Sequence, residues 1–344
     1  SGSTKRKLYI GAHFLQPSEL DKGEFKKLSK DDMDKKALMI DRTVFEGQEE
    51  NEYYKKATEK NDLGAAIIIY LESGKLVHAV SQQADDFPSL VVKKDKFPKD
   101  AKIVTVEVNN EFKEYYKANN VVGYIQGTVK PDSFIVIGAH YDHLGMIGRD
   151  IFFPGANDNA SGVAMMLDLA KKFNTEGHRR IRGEEPVPDP VYSMVFVAFC
   201  GEELGLIGSD FFTFRSPYWL PKTKFMISLD MVGAGKDGIG IVNGKSEHFM
   251  ASRIQSINNK KQYVSSIQLR DNSPISDHYP FTEEGVDAIF IYGKGEHPYH
   301  SIDDTAEKLP LDEYEDIYSL IYDFIRSVEE PFRPKEEGRR RRRR

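Results

Sequence analysis

Apolar residues fall along this chain in two rhythms. Beyond about residue 120, short unbroken apolar runs alternate with longer stretches of helical spacing. The runs are Val121 to Ile125, Phe134 to Ala139, Tyr192 to Phe199, Phe225 to Leu229, Ile239 to Val242 and Ala288 to Tyr292. Their β-branched and aromatic content, with no polar alternation, predicts strands buried on both faces. Ala160 to Phe173, Ser246 to Asn258 and Leu311 to Val328 predict helices. In the first, Val163, Met166, Leu167 and Ala170 recur at i, i+3, i+4 and i+7, so that face is expected to be buried. Ser161 stands where a cap would start it. Strands alternating with amphipathic helices predict an α/β fold, a mostly parallel mixed sheet sandwiched by helices.

The region before residue 107 has a different character. Lys36 to Ile40, Gly64 to Leu71, Pro88 to Val92 and Ile103 to Val106 predict strands, and Glu50 to Asn61 a helix. No cluster of acidic and imidazole residues accompanies them. Residues 34–106 therefore read as a smaller α/β or β-rich insert domain, and 107–330 as the domain that carries the chemistry. Residues 1–33 hold one apolar run, Lys7 to Leu15, whose packing the pattern leaves open. The stretch Glu176 to Pro190, rich in charge, Pro and Gly, reads as an exposed loop containing His178.

Composition narrows the function classes. The chain has 344 residues, 40% hydrophobic and 30% charged, which is ordinary for a globular protein. The net charge is −6 even though Arg339 to Arg344 are consecutive arginines, so the body is acidic and nucleic acid is not an expected partner. Residues 331–344 read as a basic, disordered tail. No apolar stretch is long enough to predict a membrane span. The single cysteine, Cys200, ends an apolar run, so it is expected to be a buried structural thiol and forms no intrachain disulfide.

Against that background five fragments stand out. They are Ala139-His140-Tyr141-Asp142-His143, Asn157-Asp158-Asn159-Ala160-Ser161-Gly162, Gly201-Glu202-Glu203-Leu204-Gly205, Leu229-Asp230-Met231 and His297-Pro298-Tyr299-His300. Singly each has a bland reading: a hydrogen-bonded histidine, a turn, an acidic helix start, a loop cap. Jointly they track strand ends. His140, Glu202 with Glu203, Asp230 and His300 each follow an expected strand, and ligands of parallel sheets gather beyond the carboxyl ends of strands. Asp, Glu and His in this number suit two hard divalent cations sharing a carboxylate. Asp158, among small residues that let backbone approach a metal, is the expected bridge. The expected shells are Asp158, Glu203 and His300 on one ion, and Asp158, His140 and Asp230 on the other. Glu202 is left to hold and deprotonate water. Asp142, two residues past His140, is placed for its carboxylate to accept the imidazole N–H and fix the tautomer. His143 and His297 are read as pocket-lining rather than ligating.

These stretches resemble the co-catalytic di-zinc exopeptidases related to bacterial leucyl aminopeptidase and glutamate carboxypeptidase. The matching segments are Val136 to Gly145, Gly155 to Gly162, Gly201 to Ser209, Leu229 to Gly233, Ser276-Asp277-His278 and His300 to Thr305, and the resemblance covers residues 118–330. It implies two Zn2+ per chain (Mn2+ or Co2+ as alternatives), ligated by His140, Asp158, Glu203, Asp230 and His300. It implies Glu202 as general base, Asp142 as orienter and a cis peptide after Asp158. The implied activity is hydrolysis of N-terminal peptide bonds through a metal-bound hydroxide, with a peptide as substrate. Carboxypeptidase or dipeptidase action, and glutaminyl cyclase-like acyl transfer on one zinc, are the alternatives, together with a non-enzymatic receptor-like relative. Residues 34–106 resemble a protease-associated insert, and by the same resemblance an exported location is expected. The sequence departs from the family in one respect. No tyrosine precedes Ser276-Asp277-His278, so Tyr279, His278 or the metal is expected to stabilise the oxyanion.

Overall fold

In the computed structural model, which describes residues 6–29, 33–47, 49–82, 87–98, 101–108, 113, 115–181, 189–216 and 218–329, the chain forms two units. The first is Ser1–Val77 with Ser81–Tyr116, and the second is His78–Val80 with Lys117–Arg344. The arginine run and the centre of the charged stretch before Pro190 lie outside the described residues.

The first unit holds strands β1 (Arg6–Phe14), β2 (Lys36–Asp41), β3 (Ile67–Glu72), β4 (Ser89–Lys93) and β5 (Ile103–Val108), with helices α1 (Lys22–Leu28) and α2 (Glu52–Thr58). They form a sheet in the order β4-β3-β2-β1-β5, parallel except at β5. The apolar run near the N-terminus thus becomes an interior strand. Alternation along β2 fills both faces. Leu38 and Ile40 pack with Phe25 and Phe45, while Ala37 and Met39 pack with Ile67 and Ile69.

The second unit carries β6 (Val121–Ile125), β7 (Lys130–His140), a small hairpin of β8 (Met146–Ile147) and β9 (Ile151–Phe152), then α3 (Gly162–Ile181), β10 (Tyr192–Phe199) and α4 (Ile207–Arg215). β11 (Thr223–Leu229), β12 (Ile239–Val242), α5 (His248–Lys261), β13 (Ile267–Leu269), α6 (Tyr279–Glu283), β14 (Ala288–Gly293) and α7 (Tyr314–Glu329) complete it. The sheet order is β13-β12-β14-β11-β7-β10-β6. β14, β11, β7 and β10 run parallel, while β6 and the β12–β14 pairing are antiparallel.

Both faces are dry at the centre of this sheet, whereas β6, expected to be buried on both faces, is an edge strand with Val121, Val122 and Tyr124 exposed. Ile135, Ile137 and Ala139 of β7 face α3 and α7 residues such as Met165 and Phe324, while Phe134 and Val136 face Phe212 and Phe281. Helix α7 shows why it docks: Ile317, Leu320, Ile321, Phe324 and Ile325 form one buried stripe. Helix α3 follows expectation at Val163, Met166 and Ala170, which pack on the core, but not at Leu167. Its buried stripe is Met165, Met166, Leu169 and Phe173, and Leu167 is 58% exposed. Its backbone also continues to Ile181, so the first part of the stretch read as a loop, His178 included, is helical.

Candidate metal centre

Because β7, β10, β11 and β14 are parallel, their carboxyl ends share one edge of the sheet. His140 is the last residue of β7, and Asp230 follows β11 directly. Glu202 and Glu203 follow β10, and His300 follows β14. Asp158 comes from an irregular helical turn, Ala156–Ser161, just ahead of α3.

Polar side chains sew that turn to the end of β11. Asn159 Nδ2 donates to the Leu229 carbonyl at 2.9 Å, and its Oδ1 accepts the amides of Gly162 at 3.0 Å and Met231 at 3.2 Å. Asn159, rather than Ser161, therefore satisfies the first amide of α3. Ser161 Oγ donates to the Asn157 carbonyl at 2.7 Å and accepts the Val232 amide at 3.0 Å. Asn157 Oδ1 accepts the Gly233 amide at 2.9 Å. The Asp158–Asn159 peptide is cis, as the resemblance implies. Gly162 has no alternative here, since a Cβ on it would lie 2.3 Å from both Asn159 Oδ1 and the Leu229 carbonyl oxygen. Asp158 and Asp230 are thereby fixed side by side, both buried.

The imidazoles are oriented for ligation. His140 Nδ1 faces the Asp142 backbone carbonyl at 3.1 Å, and His300 Nδ1 faces the His78 carbonyl at 3.0 Å. A carbonyl only accepts, so each ring keeps a proton on Nδ1 and turns Nε2 toward the centre, where a bound cation would take its lone pair. The buried His140 Nε2 and Asp230 Oδ1 have no hydrogen-bond partner among the described residues. They instead converge. His140 Nε2 lies 3.4 Å from Asp158 Oδ1 and 3.4 Å from Asp230 Oδ1. His300 Nε2 lies 3.3 Å from Asp158 Oδ2 and 3.2 Å from Glu203 Oε2. Ligands held at about 2.0–2.1 Å from a tetrahedral cation are separated by about 3.3–3.4 Å, so the donor set fits such an ion. The two oxygens of Asp158 serve different sides, which is the geometry of a bridging carboxylate.

Among the described residues, two groups bring ligand atoms within 4.8 Å of one another: His140, Asp158 and Asp230, and His143, Asp158 and Glu203. His143 in the second group reads better as a donor to Glu203. Its Nδ1 lies 2.7 Å from Glu203 Oε1 but 4.0 Å from Asp158 Oδ2.

Three supporting residues differ from expectation. The Asp142 carboxylate is 3.8 Å from His140 Nδ1, and its oxygens accept the amides of Glu202 and Glu203 at 3.2 and 3.3 Å. Asp142 thus orients His140 through its backbone and places the paired glutamates through its side chain. His297 does not line the cavity. Its Nε2 meets Asp304 Oδ1 at 2.6 Å, and Asp304 accepts the amides of Asn157 and Asp158. The Ser-Asp-His segment supports the centre through its serine: Ser276 Oγ donates to Asp230 Oδ2 at 3.0 Å. Its histidine is occupied elsewhere, with ring nitrogens facing the Ser276 carbonyl and Asn272 Oδ1, both at 3.1 Å.

The field in this cluster calls for positive charge. Burial acts against charging His300, yet Asp158 and Glu203 lift it to about 10. Burial likewise opposes His140, but Asp230 and Asp158 raise it well above its ordinary value. Asp158 stays below the usual carboxylate range despite burial, because His140 and His300 flank it. Glu202 stands apart. Burial pushes it to about 9, with Asp230, Asp277 and Glu203 adding and His140 opposing. Asp230 is raised by burial as well, and a bound cation would draw both carboxyls back toward their ionised forms.

A cavity of about 210 Å³ opens on the cluster, lined there by Asp158, Glu202, Asp230 and His300. Its remaining wall is Met231, Arg270, Ile275, Phe290, Tyr292 and Tyr299. Met231 and His300 both adopt left-handed backbone, with φ of 53° and 47°, a strain typical of functional sites. Tyr299 stacks on the His300 ring, with centroids 3.9 Å apart. The sequence pointed to Tyr279 or His278 beside the reacting carbonyl, whereas Tyr299 is the tyrosine beside His300 in the cavity. Its place one residue before an expected ligand was the signal available.

Comparison with known proteins agrees with this geometry. Residues 120–325 match Peptidase family M28, which is more than half of the chain. The chain belongs to peptidase family M28. It is 28% identical over 305 residues to aminopeptidase YwaD of Bacillus subtilis, covering 81% of this chain and 61% of that protein. A probable aminopeptidase of Saccharomyces cerevisiae, YDR415C, is 29% identical over 62% of this chain and 57% of its own length. The chain thus spans about three-fifths of these M28 relatives. The solved zinc aminopeptidase of Bacillus subtilis, BSAP, superposes with a TM-score of 0.68 at 21% identity, covering 98% of this chain and 78% of that one. That likeness confirms the fold, a mostly parallel α/β sheet between helices.

Proposed function

We propose that the protein is a zinc-dependent exopeptidase that removes N-terminal residues from peptides. The observation that carries this reading is the split of Asp158, whose Oδ1 faces His140, itself beside Asp230, while its Oδ2 faces His300, itself beside Glu203. It supports a pair of ions, held by His140, Asp158 and Asp230 on one side and Asp158, Glu203 and His300 on the other. The aminopeptidase assignment draws on the Bacillus relative that aligns with most of the chain.

Bound zinc would polarise the scissile carbonyl and acidify water beside it. The chain's own part is positioning and proton transfer. Glu202 lines the cavity with its Oε2 4.0 Å from His140 Nε2, close to both carboxylates of that side. It takes the proton of the attacking water and returns it to the departing amine nitrogen as the C–N bond breaks. Asp142 keeps Glu202 and Glu203 in register through their amides, so one glutamate faces the ions and the other the water. Tyr299, stacked on His300, lines the cavity, and burial with the surrounding carboxylates raises its pKa, so it stays a donor for the carbonyl oxygen.

The test is metal analysis joined to hydrolysis of aminoacyl-nitroanilides. We expect two zinc ions per chain and release of nitroaniline that a chelator abolishes and zinc restores. Glu202→Gln should keep both ions and lose about a hundredfold or more in kcat. Near-normal turnover by that variant would remove Glu202 from its role. Cyclisation of N-terminal glutamine without hydrolysis would replace the exopeptidase reading with acyl transfer.

A further inference from the structure

The wall of the cavity is unusual in charge. Apart from the cluster that holds the ions, it is apolar or phenolic save for Arg270. Met231, Ile275 and Phe290 supply the apolar surface, and Tyr292 a hydroxyl. The Arg270 guanidinium has no carboxylate partner among the described residues. Nη1 meets the Tyr292 hydroxyl at 3.2 Å, and Cζ lies 5.7 Å from the centre of that ring. The backbone of Arg270 is fixed, because its amide donates to the Ile241 carbonyl at 2.8 Å and its own carbonyl accepts Lys245 N at 3.2 Å. A guanidinium offers five N–H donors in a planar fork suited to a carboxylate. Here the fork lines the same cavity as the apolar residues and the carboxylate–imidazole cluster.

We propose that Arg270 makes this cavity selective for an acidic N-terminal residue, glutamate above all. The inference rests on the aminopeptidase reading, which places the first residue's carbonyl at the carboxylate–imidazole cluster and its side chain along this wall. The two methylenes of glutamate cover Met231, Ile275 and Phe290, and the carboxylate reaches Arg270, with the Tyr292 hydroxyl already aligned beside it. Glutamine has the same shape without the charge, so it isolates the contribution of the guanidinium. Arg270 is exposed, which screens the pair and holds the expected preference to about tenfold.

The experiment uses the zinc-loaded full chain in two arms. The first compares kcat/KM for glutamyl- and glutaminyl-nitroanilide. The second compares binding of free L-glutamate and L-glutamine by calorimetry. We expect glutamate to lead in both arms by about tenfold at low salt, with the lead shrinking as salt rises. Arg270→Gln should bring both ratios to near unity, and Arg270→Lys should retain part of the preference. Because each readout is a ratio, partial misfolding of a variant does not move it. Equal handling of glutamate and glutamine by the unsubstituted protein overturns the inference while leaving aminopeptidase activity standing. So does an unchanged ratio in Arg270→Gln. Failure to hydrolyse any aminoacyl-nitroanilide, with glutamate still bound more tightly through Arg270, overturns the activity and leaves the acidic selectivity in place.

Discussion

Asp304 grips the backbone of Asp158, the residue that faces both halves of the centre. Its Oδ2 accepts the Asp158 amide at 3.1 Å, its Oδ1 accepts the Asn157 amide at 2.8 Å, and the buried His297 pairs with the same carboxylate. Asp304 is itself fully buried. Asparagine in its place would turn an NH2 donor toward backbone donors. Asp304→Asn should therefore cost about 3 kcal/mol of stability, because buried donors lose their acceptor. By loosening the bridge it should also weaken zinc binding by about ten- to a hundredfold. Thermal unfolding and a competition titration with a metal chelator measure the two effects. Unchanged zinc affinity would separate Asp304 from the metal centre.

His143 and His300 both approach Glu203, on opposite oxygens, and their rings meet edge to face at 5.9 Å. Only His300 also comes within 3.3 Å of Asp158. His300→Ala should leave about one zinc per chain and no detectable turnover. His143→Ala should retain two, with binding weaker by about tenfold for want of the donor to Glu203. Metal content of the dialysed variants decides it. If His143→Ala loses an ion and His300→Ala does not, the two rings exchange roles.

How far the sequence led differs from element to element, for physical reasons. A strand covered on both faces must be apolar throughout, so β7, β10, β11 and β14 were visible as unbroken runs, and the polar residues just past them were visible by contrast. Asp142 was found as a residue near the centre, but its carboxylate meets amides rather than the imidazole, which only side-chain direction reveals. Helix α4 was missed because its pattern is inverted. It buries Gly208, Ser209, Phe212 and Thr213 and leaves Phe211 and Phe214 exposed. Leu167 misled for a similar reason. It fits a helical stripe by spacing but lies on the outer side of α3. Arg270 carried no local signal at all, and Asp304 none beyond lying in the matching segment His300 to Thr305. Asp304 stands 146 residues from the amide of Asp158 that it holds, and Arg270 enters the cavity from the loop after β13.

Gly162 sets two magnitudes against each other. Alanine in a helix is favoured over glycine by about 1 kcal/mol. The added Cβ would lie 2.3 Å from the Leu229 carbonyl oxygen, a backbone atom that cannot swing away. Overpacking of this kind costs about 1–3 kcal/mol, so the net effect of Gly162→Ala should be destabilising. It should also push the Asp158 turn away from Asp230, lowering zinc occupancy before the fold is lost. Denaturant unfolding and metal content at the same protein concentration test both halves. A stabilised variant with full metal would mean that the two segments are not closely packed.

His278 should leave a signature in the pH dependence of stability. It is fully buried, and burial lowers its pKa from 6.5 to about 4. Between those values the unfolded chain takes up a proton that the folded chain refuses. Stability from this residue is therefore fully present above about pH 6.5 and is lost as pH falls toward 4, reaching about 3 kcal/mol. Neighbouring Asp277 acts with the opposite sign. Burial raises it from 3.8 to about 7, so its contribution is lost as pH rises through that range. Because Asp277 remains in His278→Gln, subtracting the variant's curve isolates the histidine. The melting temperature of the unsubstituted protein should lead that of His278→Gln near pH 7, and the gap should narrow steadily toward pH 4. A gap that stays constant across that interval would show that His278 takes up its proton as readily in the folded protein as in the unfolded chain.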